Sequence, residues 1–302
     1  MTGVINIDFY NKTFLGGQRI GLIGLGKMGR GIAVSLIRNR ASITSFSHSS
    51  RKGIDELIEL GGHEVSTPKE VAESCGTIVL SLPSTAEVES VCFGRNGVIR
   101  ARHEGLLIID TTTGCPIESR HLAKKLLNYG VRYVDAPLTR GPREARRGES
   151  NAILGAPEAL VDEACAVLSG FCRWVLHAGD IGEGQKLKLL NNALSMGVVA
   201  LSANTIGAAH VLNVNINYLR KLIQQGAVNN AITQAFLSAI IDEVEDPLKF
   251  SIGSALKDLN YCVSLLSGSE DYKMIKAAQE VFLSKTRQGL SEKTLSYLIK
   301  QD

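Results

Sequence analysis

Residues 19–37 read RIGLIGLGKMGRGIAVSLI. The apolar run Ile20–Ile23 breaks at Gly24 and is followed by helical patterning from Met28 onward, so a buried strand turns directly into a helix. Between them stands Gly24-Leu25-Gly26-Lys27-Met28-Gly29. In that strand–turn–helix setting the spacing has a physical meaning. Gly24 allows the tight turn, Gly26 lets backbone approach a pyrophosphate, and Gly29 lets the helix pack closely on the strand. The helix N-terminus then meets the negative charge. The stretch therefore predicts a dinucleotide site and a Rossmann-type fold.

The pattern repeats outward from there. Strand-like SITSFS, GTIVLSLP, LLIIDTTT, VRYVDAPL, SNAILGA and RWVLHAG alternate with helical RKGIDELIELG and SRHLAKKLLNYG. This predicts an α/β domain with a doubly wound parallel sheet, covered on both faces. After Gly184 the character becomes helical to the end, LSEKTLSYLIKQ included. We therefore place an N-terminal extension at 1–18, a dinucleotide-binding domain at 19–181, and an all-α domain at 182–302 joined by a long helix. The run Leu194–Leu212 is nearly long enough to cross a bilayer. Its Ser195, Ser202, Asn204, Thr205 and His210 favour a buried helix between domains.

Composition narrows the classes. The chain has 302 residues, 44% hydrophobic and 21% charged, with formal net charge +3. That balance lacks the basic runs of a nucleic-acid binder. The six cysteines are scattered, without a CxxC pair or zinc spacing, so no metal is predicted. Reduced, buried thiols point to the cytoplasm. The first eighteen residues lack the basic start and apolar core of an export signal.

Two further readings concern chemistry. An NAD site wants a carboxylate about 20 residues beyond the glycines. The second strand ends instead in Ser47-His48-Ser49-Ser50-Arg51, which suits a 2′-phosphate and favours NADP over NAD. In GQKLKLLNN, residues 184–192, Gly184, Gln185, Lys188, Asn191 and Asn192 share one helical face with the following Ser195. Lys188 and Asn192 lie one turn apart, so an ammonium and an amide converge on one small molecule. A partly buried lysine serves as general acid or base. Lys186 points about 200° away around the helix.

These motifs together resemble the β-hydroxyacid dehydrogenase family, which includes 3-hydroxyisobutyrate dehydrogenases, tartronate semialdehyde reductases and sulfolactaldehyde reductases. The resemblance runs from about Arg19 to the C-terminus. It is carried in order by GLIGLGKMGRGIA, SLP at 81–83, IDTTTGCP, DAPLTRGPREARRG, GEGQKLKLLNN and LKDL at 256–259. It implies a Rossmann domain and a helical domain, in homodimers or homotetramers. It also implies reversible hydride transfer between NADP(H) or NAD(H) and the hydroxyl carbon of a small anionic 3-hydroxy acid. Lys188 takes the place of the family's acid/base lysine. Asn191 and Asn192 stand at the substrate asparagines, and Leu82, Pro83, Thr113 and Lys257 at cofactor contacts.

The chain also departs from the pattern. Where many members have Ser-Gly-Gly for the substrate carboxylate, it has Thr139-Arg140-Gly141. Arg140 adds a fork-shaped cation for a carboxylate or sulfonate; alternatively it turns outward or pairs with Glu144. The family's usual Asn-Arg-Thr is here Ser47-His48-Ser49, which leaves Arg51 as the substitute for the phosphate-binding arginine. Two other functions share the architecture. Imine reductases usually lack the lysine, and non-catalytic NADPH-binding regulators have lost it; Lys188 argues against both.

Overall fold

The computed structural model describes residues 3–7, 10, 16–101, 105–245, 248–269 and 272–299. The chain forms two compact units, Met1–Lys188 and Leu189–Asp302.

The first unit is built on ten strands: β1 Gly3–Ile5, β2 Arg19–Ile23, β3 Ser42–Phe46, β4 His63–Val65, β5 Thr77–Leu80, β6 Leu107–Asp110, β7 Arg132–Asp135, β8 Leu138–Thr139, β9 Ser150–Gly155 and β10 Cys172–Gly179. Their order across the sheet is β1-β10-β9-β7-β6-β5-β2-β3-β4, with β8 beside β9. From β4 to β7 every pairing is parallel. The order reverses at β2: the chain first winds outward through β3 and β4, then crosses to β5. The loops leaving β2 and β5 therefore diverge and open the crevice where this kind of sheet binds ligands.

Among the described residues, seven helices accompany this sheet: α1 Lys27–Arg38, α2 Lys52–Glu59, α3 Pro68–Ser74, α4 Thr85–Phe93, α5 Pro116–Leu127, α6 Pro142–Arg147 and α7 Glu158–Leu168. The strands read as unbroken apolar runs because both faces are buried. Val79, Leu107 and Ile109 join one core, while the alternating Ile78, Leu80 and Ile108 join another.

The sheet is mixed rather than wholly parallel. The short helix α6 turns the chain back, so that β9 meets β7 antiparallel. Within the segment read as an N-terminal extension, Gly3–Ile5 adds an edge strand antiparallel to β10, and Ile7 is buried in the core.

The helix α8, Glu183–Val211, begins in the first unit and continues into the second. It is long and apolar enough to cross a membrane by length and composition alone. Leu189, Met196, Val199 and Ile206 are buried in the second unit's core, whereas Leu190, Leu194 and Leu201 are exposed. The buried helix expected from sequence is thus buried along one side only. The helices α9 Ile216–Gln225, α10 Ala231–Ile241, α11 Ile252–Leu265 and α12 Lys273–Arg287 complete this unit around Phe236, Leu259 and Phe282. Asn215, Asn230 and Ser251 cap α9, α10 and α11 by accepting backbone N–H bonds. Among its described residues, the final segment, read as a helix, forms only a 3₁₀ turn at Leu295–Leu298. Its entry is committed elsewhere: Thr294 bridges Ser251, and the Leu295 N–H goes to the Phe250 carbonyl.

Candidate active site

The glycine turn stands at the reversal point of the sheet. Gly24 has φ +101°, and a Cβ there would lie 2.2 Å from the Ser81 carbonyl oxygen. At Gly29 a Cβ would come within 1.8 Å of the Gly24 oxygen, whereas at Gly26 it would meet no protein atom within 4 Å. Gly24 and Gly29 are thus demanded by the fold, and Gly26 opens onto free space. Gly26 caps α1 without a side-chain hydrogen bond, and the first turn, with Lys27 and Met28, holds no acidic residue. The positive end of the helix dipole faces that space, which fits a pyrophosphate. Leu25 completes the turn. In the neighbouring loop, which also carries Pro83, the Leu82 N–H donates to Thr112 Oγ1 at 3.1 Å.

Farther along the crevice edge, Ser47 bonds locally to the Ser50 carbonyl, and His48 and Ser49 are exposed. Arg51 is engaged. Its two terminal nitrogens grip both oxygens of Glu64 at 3.0 Å each, and its Nε reaches Asp55 at 3.2 Å. The hydrogen bond from Arg51 holds the Glu64 carboxyl below its usual range.

Lys188 is 9% exposed, on the first turns of α8. Asn192, one turn on, is also buried and donates from Nδ2 to Asp258 Oδ2 at 2.7 Å. Asn191 donates to Asn192 Oδ1 at 3.4 Å. On α11, Lys257 Nζ lies 3.0 Å from the other Asp258 oxygen and over the Tyr261 ring. Asp258 therefore gathers Asn192 and Lys257 on one carboxylate. Nothing local in LKDL marks that aspartate as a shared acceptor.

Thr139 lies on β8 and accepts a hydrogen bond from Asn151. Gly141 donates its N–H to Glu144, which also pairs with Arg147. Arg140 is directed to Glu149, donating to its carbonyl oxygen at 3.1 Å and lying 3.8 Å from its carboxylate. Its φ is +75°, a left-handed conformation that favours glycine.

The first unit also holds two buried acids. Asp110 accepts from the Thr112 N–H and from the Tyr133 hydroxyl, and burial pushes the Tyr133 phenol well up. Asp135 is fully buried. That burial raises its carboxyl to about 7, reinforced by Asp110 and opposed by N–H bonds from Gly182 and Gln185. Among the described residues no group of three or more His, Cys, Asp or Glu is placed to hold a metal. All six cysteines are free and buried.

The family model for the NAD binding domain of 6-phosphogluconate dehydrogenase matches residues 19–179. The model for the NAD-binding region of NADP-dependent 3-hydroxyisobutyrate dehydrogenase matches 182–301. The chain is 26% identical to 2-(hydroxymethyl)glutarate dehydrogenase of Eubacterium barkeri, over 93% of this chain and 94% of that protein. It is 28% identical to 2-hydroxy-3-oxopropionate reductase of Escherichia coli K12, over 80% and 82%. The crystal structure of a 3-hydroxyisobutyrate dehydrogenase from Salmonella typhimurium superposes with a TM-score of 0.84 at 20% identity, covering 93% of this chain and 99% of that one.

Proposed function

Because the chain belongs to the β-hydroxyacid dehydrogenase family and is an NAD(P)-dependent oxidoreductase acting on hydroxyl groups, we propose that it interconverts a small anionic 3-hydroxy acid and its semialdehyde acid, with Lys188 as acid/base. The observation that carries this reading is the burial of Lys188 one turn before an equally buried Asn192. When bound, the nicotinamide supplies the hydride for reduction and accepts it in oxidation. Lys188 Nζ donates a proton to the substrate's carbonyl oxygen in reduction and takes it from the hydroxyl in oxidation. An amide nitrogen carries two hydrogens. Asp258 fixes one on Asn192, which aims the other at the substrate oxygen. Asn191 supports that amide.

Thr139, Arg140 and Gly141 receive the anionic head group, carboxylate or sulfonate. Arg140 brings the fork geometry an oxyanion takes, and the substrate would have to displace its present partner Glu149. Gly24, Leu25, Gly26, Lys27, Met28 and Gly29 hold the pyrophosphate, and Leu82, Pro83, Thr113 and Lys257 the nicotinamide half. Ser47, His48 and Ser49 take the 2′-phosphate end, which favours NADP(H) over NAD(H). The partner is a small molecule rather than nucleic acid or membrane. Exposed Leu190, Leu194 and Leu201 along α8 support assembly into a homo-oligomer. The free buried thiols support a cytoplasmic setting.

The test is the initial rate of NADPH and NADH oxidation with succinate, tartronate and methylmalonate semialdehydes and sulfolactaldehyde. The Lys188→Ala variant is assayed beside the wild type. Turnover in the wild type that falls by about 10²–10⁴ in the variant, with cofactor binding intact, is the expected result. Wild-type binding of NADPH without turnover on any of these acids favours a regulatory binding protein instead.

A further inference from the structure

The helix α8 starts between two anchors that belong to the first unit. Asp135, at the end of β7, accepts the Gly182 N–H on Oδ1 at 2.5 Å and the Gln185 N–H on Oδ2 at 2.9 Å. Gly155 and Gly184 press against this carboxylate so closely that a Cβ at either would lie 2.5 or 2.7 Å from its oxygens. The acid therefore has one seat. On the other side, the Gln185 side chain is fully buried. Its Oε1 accepts the Gly114 N–H at 2.9 Å, and its Nε2 donates to the Thr112 carbonyl at 2.7 Å.

Gln185 thus closes a two-point bond on a three-residue loop whose middle member is Thr113. The same loop reaches the β5 side of the crevice through Thr112 and Leu82. Lys188 follows Gln185 by three residues on the same helix, and a helix transmits its start as a rigid rod. Each residue is fixed at 100° and 1.5 Å from the last.

We propose that Gln185, seated through its own N–H by Asp135, is a positioning residue that sets Lys188 against the Thr112–Gly114 loop. This inference rests on Lys188 being the acid/base group. The Gln185 amide is fully buried and spends its acceptor and donor on the loop. Its amide is suited because it offers one acceptor and one donor in a single orientation, matching the N–H and C=O that the loop presents. Without the clamp the helix start loses its bonds to the Thr112–Gly114 loop, and a displacement of about 1 Å at a reacting group costs about 10²-fold in rate.

The experiment compares wild type with Gln185→Leu, Gln185→Glu and Asp135→Asn. It reads kcat, KM and the isotope effect with 4-deuterated NADPH. It also reads, without turnover, the acetylation rate of Lys188 relative to Lys186 by mass spectrometry. In Gln185→Leu, kcat should fall about 30- to 100-fold, a larger change than any rise in KM for the cofactor that the flanked Thr113 contacts. The Lys188 acetylation ratio should change at least about threefold, since that lysine loses its reference to the loop. Gln185→Glu should recover kcat as pH falls, because a protonated glutamic acid again offers one donor and one acceptor. A merely structural role moves melting temperature while leaving kcat per folded enzyme and the acetylation ratio unchanged, and that result overturns the proposal. Should Gln185→Leu not fold, the pH-dependent recovery of Gln185→Glu and the acetylation ratio in Asp135→Asn decide in its place. If the wild type turns over none of the acids, the proposed reaction fails, while the acetylation ratio still decides whether the clamp positions Lys188.

Discussion

Asp135→Asn should flatten a slope in the pH dependence of stability. In the folded protein the Asp135 carboxyl is raised from its ordinary 3.8 to about 7, chiefly by complete burial. Between those values the folded chain holds a proton that the unfolded chain has lost. Its stabilising contribution is fully present below about pH 4 and is lost as pH rises toward 7. At 1.36 kcal/mol per pH unit the total is about 4 kcal/mol. Full burial leaves no solvent screening to reduce it. An asparagine carries no such proton, so its curve lacks this component. It can also satisfy only one of the two N–H groups now shared by the carboxylate, which lowers its stability at every pH by roughly 1–3 kcal/mol. The assay is urea unfolding from pH 4 to 8, followed by the emission of Trp174, the chain's single tryptophan, which lies on β10 in the same unit. The wild type should lose ground to the variant steadily across that range. Parallel curves for the two proteins would refute the reasoning, because they would mean that Asp135 is ionised in the folded state as readily as in the unfolded one.

Other perturbations separate fold from function. Gly26→Ala should keep the wild-type melting temperature and lose cofactor affinity, since its Cβ meets no protein atom, whereas Gly29→Ala should destabilise the first unit by strain against the Gly24 carbonyl; differential scanning fluorimetry with and without NADPH reads both. Arg140→Gly should stay within about 1 kcal/mol of wild-type stability, because relief of the positive φ offsets the added freedom of glycine in the unfolded chain, while KM for an anionic substrate rises sharply; an unchanged KM removes Arg140 from the head-group site. Glu64→Gln frees Arg51 from its bidentate partner, so kcat/KM for NADPH should rise about two- to fivefold relative to NADH, and an unaltered ratio means Arg51 does not serve the 2′-phosphate.

Much of the first unit is legible from sequence because its signals are local. A four-residue apolar run followed by glycines at fixed spacing reads as strand, turn and helix from the residues themselves. Lys188 and Asn192 share a face by helical period alone, and their joint burial agrees with that reading. What escaped is non-local. Arg51 reads as a free cation until β4 is laid beside β3 and Glu64 takes its fork. The last segment has helical composition, but backbone bonds to Phe250 and a bridge to Ser251 hold its entry in another conformation.

The chain's own pattern was therefore enough to determine a Rossmann-type unit, a helical unit and a lysine–asparagine pair on one helix, since each depends on neighbours within a few turns of chain. Only the tertiary structure decided the antiparallel return of β9, the edge strand at Gly3–Ile5, and the groups that hold the lysine's helix in place. Asp135 meets Gly182 and Gln185 across 47 and 50 residues, and Gln185 meets Thr112 across 73. Bonds at such separations depend on strand order and on which chain ends the sheet brings together. No periodicity records that, so the fully buried Asp135 and Gln185 look in sequence like ordinary polar residues.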